Sequence, residues 1–283
     1  MCRFVLYMGA PITLDLLTTR PVYSIINQSY RARMRSEPLN GDGFGIAWYV
    51  PELSPEPAQY RSIRPAWNNV NLIHLARVSR SPVVMAHVRA ATRGMGVSES
   101  NCHPFAAERF AFMHNGSIAD FMKIKRPLRE RLTDASYLTI HGTTDSEHLF
   151  ALFRDHVKRG RNHDPAARMA RALEATVHEV EELACSRGVL QDSLLNMAVT
   201  DGQCAAVSRY ATGAGVAPTL YYQTGTQYEC VDGVCRMRTA GEGERTVLVA
   251  SEPLTDDANW TEVPPSHMVL VDCNRNITLQ SLK

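Results

Sequence analysis

A layered α/β fold in one domain is what this sequence of 283 residues predicts, and three observations predict it. Short apolar strand patterns occupy the first part of the chain, at 4–7, 46–50, 83–91 and 109–114. Two segments with apolar residues at helical spacing follow, at 141–157 and 165–187. From residue 194 onward the pattern returns to short strands separated by turn residues. No internal repeat and no break in composition marks a second domain, so the expected unit is residues 1–283.

Taken in order, Phe4-Val5-Leu6-Tyr7 forms a first strand, and 15–19 and 23–35 are short helices parted by Arg20-Pro21. Arg31, Arg33 and Arg35 alternate with Ala32 and Met34 and read as a solvated face. Gly41, Gly43 and Gly45 lead into the strand at 46–50, which implies a sharp turn or a close approach by another group. A phosphate cradle fits poorly, because no helix opens after these glycines and no Lys-Ser/Thr follows. Residues 50–65 contain Pro and Glu without periodicity and read as a surface loop; 71–80 is amphipathic enough for a helix. The strand at 83–91 carries His87 and Arg89 near its end, and a buried arginine is costly unless something anionic pairs with it.

A polar loop at 92–103 leads to the strand at 109–114, which runs into Asn115-Gly116. That dipeptide is normally a tight turn, yet it also sets an amide side chain beside an unencumbered backbone N–H. Thr or Asp caps the helix that starts within 141–147, with acidic residues in its first turn. Pro165 opens the longest helix and Gly188 lies past its end; Met169, Leu173, Val177, Val180 and Leu183 form its apolar stripe, which is core packing. Strands follow at 195–200, 205–210, 219–223, 246–251 and 267–271.

Composition narrows the class. With 45% hydrophobic residues the chain supplies a sizeable core, and a net charge of +1 gives no field to draw nucleic acid or an anionic membrane. No apolar run approaches the roughly 20 residues of a membrane helix, and no signal-peptide pattern opens the chain, so a cytoplasmic protein is expected. Seven scattered cysteines, an odd count, suit a reducing compartment better than a disulfide framework. Cys230 and Cys235 flank an Asp-Gly hairpin turn, and too few further ligands lie near them for a zinc site. Nothing in the sequence requires a metal or an organic cofactor.

The chemistry centres on Met1-Cys2-Arg3-Phe4. If Met1 is removed, Cys2 carries both a thiol and the chain's α-amine. With reference pKa values of about 8.5 and about 8, the amine can take the thiol's proton near neutral pH. Nucleophile and base then belong to one residue. The plain alternative is a cysteine that merely precedes an edge strand.

Several motifs in order resolve that choice: MCRF at 1–4, GDGFGIAW at 41–48, HVRAAT at 87–92, NCHPF at 101–105, MHNGSI at 113–118 and TTDSE at 143–147. Together they resemble the class II glutamine amidotransferase domain, an N-terminal-nucleophile (Ntn) hydrolase. The resemblance implies an αββα sandwich of two stacked, mainly antiparallel sheets. Within that family the likeness is nearest to stand-alone γ-glutamyl amidohydrolases, including the amidotransferase-like subunit of a cytosolic glutathione-degrading complex. RPVYSIINQS at 20–29, AWNNVNL at 66–72 and SEPLTD at 251–256 add to it.

The resemblance implies roles residue by residue. Cys2 is the nucleophile, and the Asn115 side-chain amide and the Gly116 N–H form the oxyanion hole. Arg89 grips the glutamyl α-carboxylate, Asp145 its α-amine, and Thr92 lines the same pocket. Ala90 and Arg93 stand where many synthase-linked members have Trp and His, which removes support for an ammonia channel built from those positions. His87 and His114 read as hydrogen-bonded core histidines, and Cys102 and His103 as residues that shape the pocket. The expected activity is release of glutamate from glutamine or another γ-glutamyl compound such as glutathione, with room for a partner subunit. Two alternatives stand beside it: a glutaminase subunit that delivers ammonia to a separate synthetase, and a silent interaction subunit that kept the fold.

Overall fold

The structure, a computed structural model, describes residues 2–35, 37–91, 96–231, 233–239 and 244–282. At its centre lies the strand Arg3–Thr13, whose first seven residues are all buried. Unbroken apolar character from Phe4 to Met8 fits a strand covered on both faces. The edge position weighed for 4–7 is therefore wrong: this strand is fourth of seven in its sheet. Among the described residues that sheet runs Thr261–Glu262, Tyr221–Gly225, Thr246–Ala250, Arg3–Thr13, Arg80–Val88, Phe44–Trp48, Ala58–Ser62. A second sheet, of six strands among the described residues, runs Ile277–Ser281, His267–Val271, Ala205–Arg209, Leu194–Thr200, Phe110–Ser117, Phe105–Ala107. The pairings in both are antiparallel.

Side chains alternate across a strand, and here the alternation sorts three apolar layers. Phe4, Leu6 and Met8 face the second sheet and pack with Ala111, Met113, Ala198 and Val269. Val5 and Tyr7 face the other way, toward Leu17, Ile25 and Leu72 from the helices Asp15–Thr18, Ile25–Arg31 and Val70–Val78. Beyond the second sheet, Phe112 and Met197 meet the helices Phe121–Arg131, Asp145–Arg159 and Pro165–Ser186. Helices, sheet, sheet, helices is the αββα order.

Several elements differ from the sequence reading, each for a physical reason. Ala58–Ser62, inside the expected loop at 50–65, is a strand; among the described residues it pairs on one side only, with Phe44–Trp48, so polar residues suffice along it. Phe121–Arg131 escaped notice because Pro127 lies inside it, which normally breaks a helix. Ile25–Arg31 stops short of residue 35, and the Arg35 side chain is 5% exposed, not solvated. Asn115 and Gly116 do not turn: they lie within Phe110–Ser117, opposite Asn196 and Leu195.

The strands Gln227–Val231 and Val234–Arg238 form a hairpin. Cys230 and Cys235 face each other across it with Cα atoms 3.9 Å apart and are joined by a disulfide. Register makes that pair, which cysteine counting alone had not offered. Gly233 of the anticipated turn has φ of +81°, and Asp232 lies outside the described residues.

Candidate active site

Pairing of Arg3 with Val88 carries Cys2 alongside the chain that leaves the Arg80–Val88 strand. The Cys2 thiol donates to the Ala90 carbonyl at 3.6 Å. Arg3, itself buried, holds the neighbouring backbone: Nη1 donates to the Cys2 carbonyl at 2.9 Å and Nη2 to the Met34 carbonyl at 3.2 Å. Its Nε pairs with the buried Glu252 carboxylate, which also accepts the Arg33 N–H at 2.7 Å. Burial pushes the Cys2 thiol pKa up, and the nearby Arg89 and Arg35 guanidiniums only partly oppose it. A thiol so placed needs a base to become a nucleophile.

The glycine-rich stretch clamps the backbone around Arg89. Gly43 has φ of +114°, and a Cβ there would lie 2.7 Å from Cys102 Sγ and 2.8 Å from the Ser62 carbonyl. Only glycine suits that turn. It brings the Asp42 N–H to the Arg89 carbonyl at 3.0 Å and the Arg89 N–H to the Gly43 carbonyl at 2.8 Å. The Asp42 carboxylate accepts the Ala91 N–H at 2.8 Å. Arg89 is 3% exposed, and its guanidinium donates only to the Asp42 and Gly96 carbonyls, each at 3.4 Å, among the described residues. No carboxylate among those residues pairs with it. A permanent cation is thus buried with long, neutral partners.

Asn115 is fully buried, and its Nδ2 donates to Ser251 Oγ at 3.4 Å. The same oxygen accepts the Phe4 N–H at 3.1 Å, so one hydroxyl joins the Cys2 strand to the second sheet. Gly116 is hemmed in: a Cβ there would run into the Leu194 carbonyl and lie 2.7 Å from His114 Nε2. Asp145 is the first residue of its helix, which Thr144 caps by accepting the Glu147 N–H. Its carboxylate accepts the Ile118 and Ser146 N–H groups, each at 2.7 Å, and borders a cleft of about 370 Å³ lined also by Ser117, Ile118 and Phe121.

A relay through Asn101 connects Arg89 to that helix. Asn101 Nδ2 donates at 2.9 Å to the Gly96 carbonyl that Arg89 also contacts, and Asn101 Oδ1 accepts the Thr143 N–H at 2.8 Å. Thr92 lies outside the described residues, as does Arg93. Asp42, Asn101, Ser251 and the Arg3–Glu252 pair were not read as site residues. Their one signal was a polar side chain inside a motif or an apolar run.

Three histidines sit behind the site. His87 Nε2 is 3.2 Å from the His114 carbonyl, His114 Nδ1 is 2.9 Å from Ser146 Oγ, and the His103 ring packs on His87 with centroids 4.2 Å apart. Burial holds all three below the ordinary histidine range, His87 at about 3. Neutral at pH 7, they serve as core groups. Among the described residues no cluster of three or more His, Cys, Asp or Glu side chains is placed to hold a metal, and no helix is long and apolar enough to cross a membrane.

Two stacked antiparallel sheets between helical layers are the architecture of Ntn-type amidotransferases. The chain belongs to the class II glutamine amidotransferases, whose pattern it matches over residues 17–280, and it is an enzyme of that type. It is 40% identical to the probable glutamine amidotransferase DUG3 of Saccharomyces cerevisiae, covering 96% of this chain and 82% of that one. It is 29% identical to the gamma-glutamyl-hercynylcysteine sulfoxide hydrolase of Mycolicibacterium smegmatis, over 95% of each. A glutamine aminotransferase class-II domain protein from Silicibacter pomeroyi superposes with a TM-score of 0.67 at 28% identity, covering 99% of both chains.

Proposed function

We propose that this chain, as one domain, hydrolyses the γ-glutamyl amide bond of a γ-glutamyl compound with Cys2 as an N-terminal nucleophile. The observation that carries the proposal is Arg89, buried beside Cys2 with no carboxylate partner among the described residues. A substrate α-carboxylate supplies the missing anion. Asp145 offers the opposite charge for the substrate α-amine at a helix start bonded to the Asn115 strand through Ile118. A zwitterionic amino-acid head needs one charge of each sign. Thr92 is assigned to the same pocket from its motif.

With Met1 removed, the Cys2 amine takes the thiol proton, and the thiolate attacks the γ-carbonyl carbon. The oxyanion is held by Asn115 Nδ2 and the Gly116 N–H. Its collapse breaks the C–N bond, and the amine returns the proton to the departing nitrogen. Water then cleaves the γ-glutamyl thioester, which releases glutamate and restores the thiol. The name of the mycolicibacterial relative supports a γ-glutamyl conjugate of a cysteine derivative as substrate, a class that includes glutathione. The reading places the enzyme in the cytoplasm and leaves room for a partner subunit.

The test is glutamate release by Met1-processed protein from glutamine, glutathione and other γ-glutamyl amides, with Cys2→Ala as control and intact mass to verify processing. Preference for a γ-glutamyl thiol peptide supports a dedicated hydrolase. Preference for glutamine moves the reading to an ammonia-supplying subunit. Absence of Cys2-dependent release from any of them overturns the mechanism and favours a silent subunit.

A further inference from the structure

We infer that Ser251 is a positioning residue that sets the Asn115 amide against the Cys2 strand; this rests on the amidohydrolase reading above. Ser251 directly follows the Thr246–Ala250 strand, and its N–H continues the ladder to the Phe4 carbonyl at 3.0 Å. Its carbonyl accepts the Thr219 hydroxyl at 2.8 Å. The backbone is thus held on two sides, and the side chain is fully buried.

From that fixed base, Oγ reaches both the Phe4 N–H at 3.1 Å and Asn115 Nδ2 at 3.4 Å. Asn115 belongs to the other sheet, so this hydroxyl spans the two sheets two residues from the nucleophile. Asn115 Oδ1 has no hydrogen-bond partner among the described residues, which leaves Ser251 as the amide's one side-chain anchor there. The terminal torsion of asparagine is a broad, roughly two-fold rotor. An oxyanion donor must be held within about 0.5 Å and 10–20° of its working geometry. The Nδ2 group carries two N–H bonds: one spent on Ser251 fixes the amide plane, and the other is directed at the oxyanion.

A structural role alone would also destabilise a Ser251 variant, since the Phe4 N–H loses its acceptor. The kinetic test separates the two. Measure kcat and KM for glutamate release from glutamine and glutathione in wild type, Ser251→Ala, Asn115→Ala and the double variant, with thermal unfolding of each. Ser251→Ala is expected to lower kcat about tenfold, through lost orientation of the donor and well short of the roughly 100- to 1,000-fold that removal of an oxyanion donor costs, with KM unchanged within twofold. In the Asn115→Ala background the same change is expected to alter kcat less than twofold, because its target is gone. Ser251→Cys, nearly isosteric, carries the same comparison if the alanine variant does not fold. An equal fold-loss in both backgrounds, a loss confined to KM, or no loss overturns the inference while the amidohydrolase reading stands. A wild type without Cys2-dependent release overturns both.

Discussion

Replacing Arg89 with methionine sets stability against activity if, as proposed, the guanidinium is buried for a ligand and not for the fold. In the free protein it loses two hydrogen bonds, both at 3.4 Å and so beyond the usual 2.7–3.2 Å range. At the low end of the usual net value these amount to about 1 kcal/mol together. Against this, a buried charge without an ionic partner carries a desolvation penalty of several kcal/mol, which methionine removes. Methionine adapts to irregular space, so repacking costs less than about 1.5 kcal/mol. The balance favours the variant by about 1–3 kcal/mol, and at roughly 2–4 °C per kcal/mol its Tm rises by several degrees. Activity moves the other way. Loss of one partner of a buried ion pair costs about 2–5 kcal/mol, or roughly 30- to 5,000-fold in kcat/KM. Scanning calorimetry without substrate and glutamate-release kinetics on the same preparation check both halves. A Tm that falls by several degrees would show that Arg89 is built into the fold, and the argument for a waiting anion site would fail.

Three further outcomes are expected. The His87 pKa is held at about 3 against an ordinary 6.5 by burial, with Arg89 and His114 adding to the effect, so the unfolded chain binds more protons between those values. Stability is then fully present above pH 6.5 and is lost progressively as pH falls toward 3; denaturant unfolding at several pH values should show a shallower loss for His87→Gln, and identical slopes would contradict the assignment. Gly116→Ala drives a Cβ into the Leu194 carbonyl, and overpacking of this kind costs about 1–3 kcal/mol; a Tm and a turnover both within error of wild type would show that the strands part freely there. An N-acetylated γ-glutamyl substrate removes the amine that Asp145 would pair with and should be cleaved at least a hundredfold more slowly than its free counterpart, whereas equal rates would take Asp145 out of recognition.

Legibility followed the range of the interactions involved. The helix Pro165–Ser186 was readable because its proline start and apolar stripe are local. Ala58–Ser62 was not, because an edge strand made of Ala-Gln-Tyr-Arg-Ser has no period of its own and exists through pairing with Phe44–Trp48. Asn115-Gly116 carried a turn signal that the sheet overrode by placing the two residues opposite Asn196 and Leu195 in Leu194–Thr200. Arg35 looked like one of three alternating surface arginines until the end of the helix at Arg31 turned it toward Asn40, to which it donates at 2.8 Å.

By itself, the sequence determined the family, the cysteine at position 2 that the proposal makes the nucleophile, the charged residues Arg89 and Asp145 assigned to the substrate, and the unbroken apolar run of the first strand. These rest on residue identity and short spacing, which need no neighbour to be read. Tertiary structure alone decided that Arg89 is buried with no carboxylate beside it among the described residues, that three histidines are held neutral, and that Ser251, far from Cys2 along the chain, lies between the Cys2 strand and Asn115. Each of those depends on which strands pair and in which register, because burial and hydrogen-bond partners are set by chain segments that the local sequence does not contain.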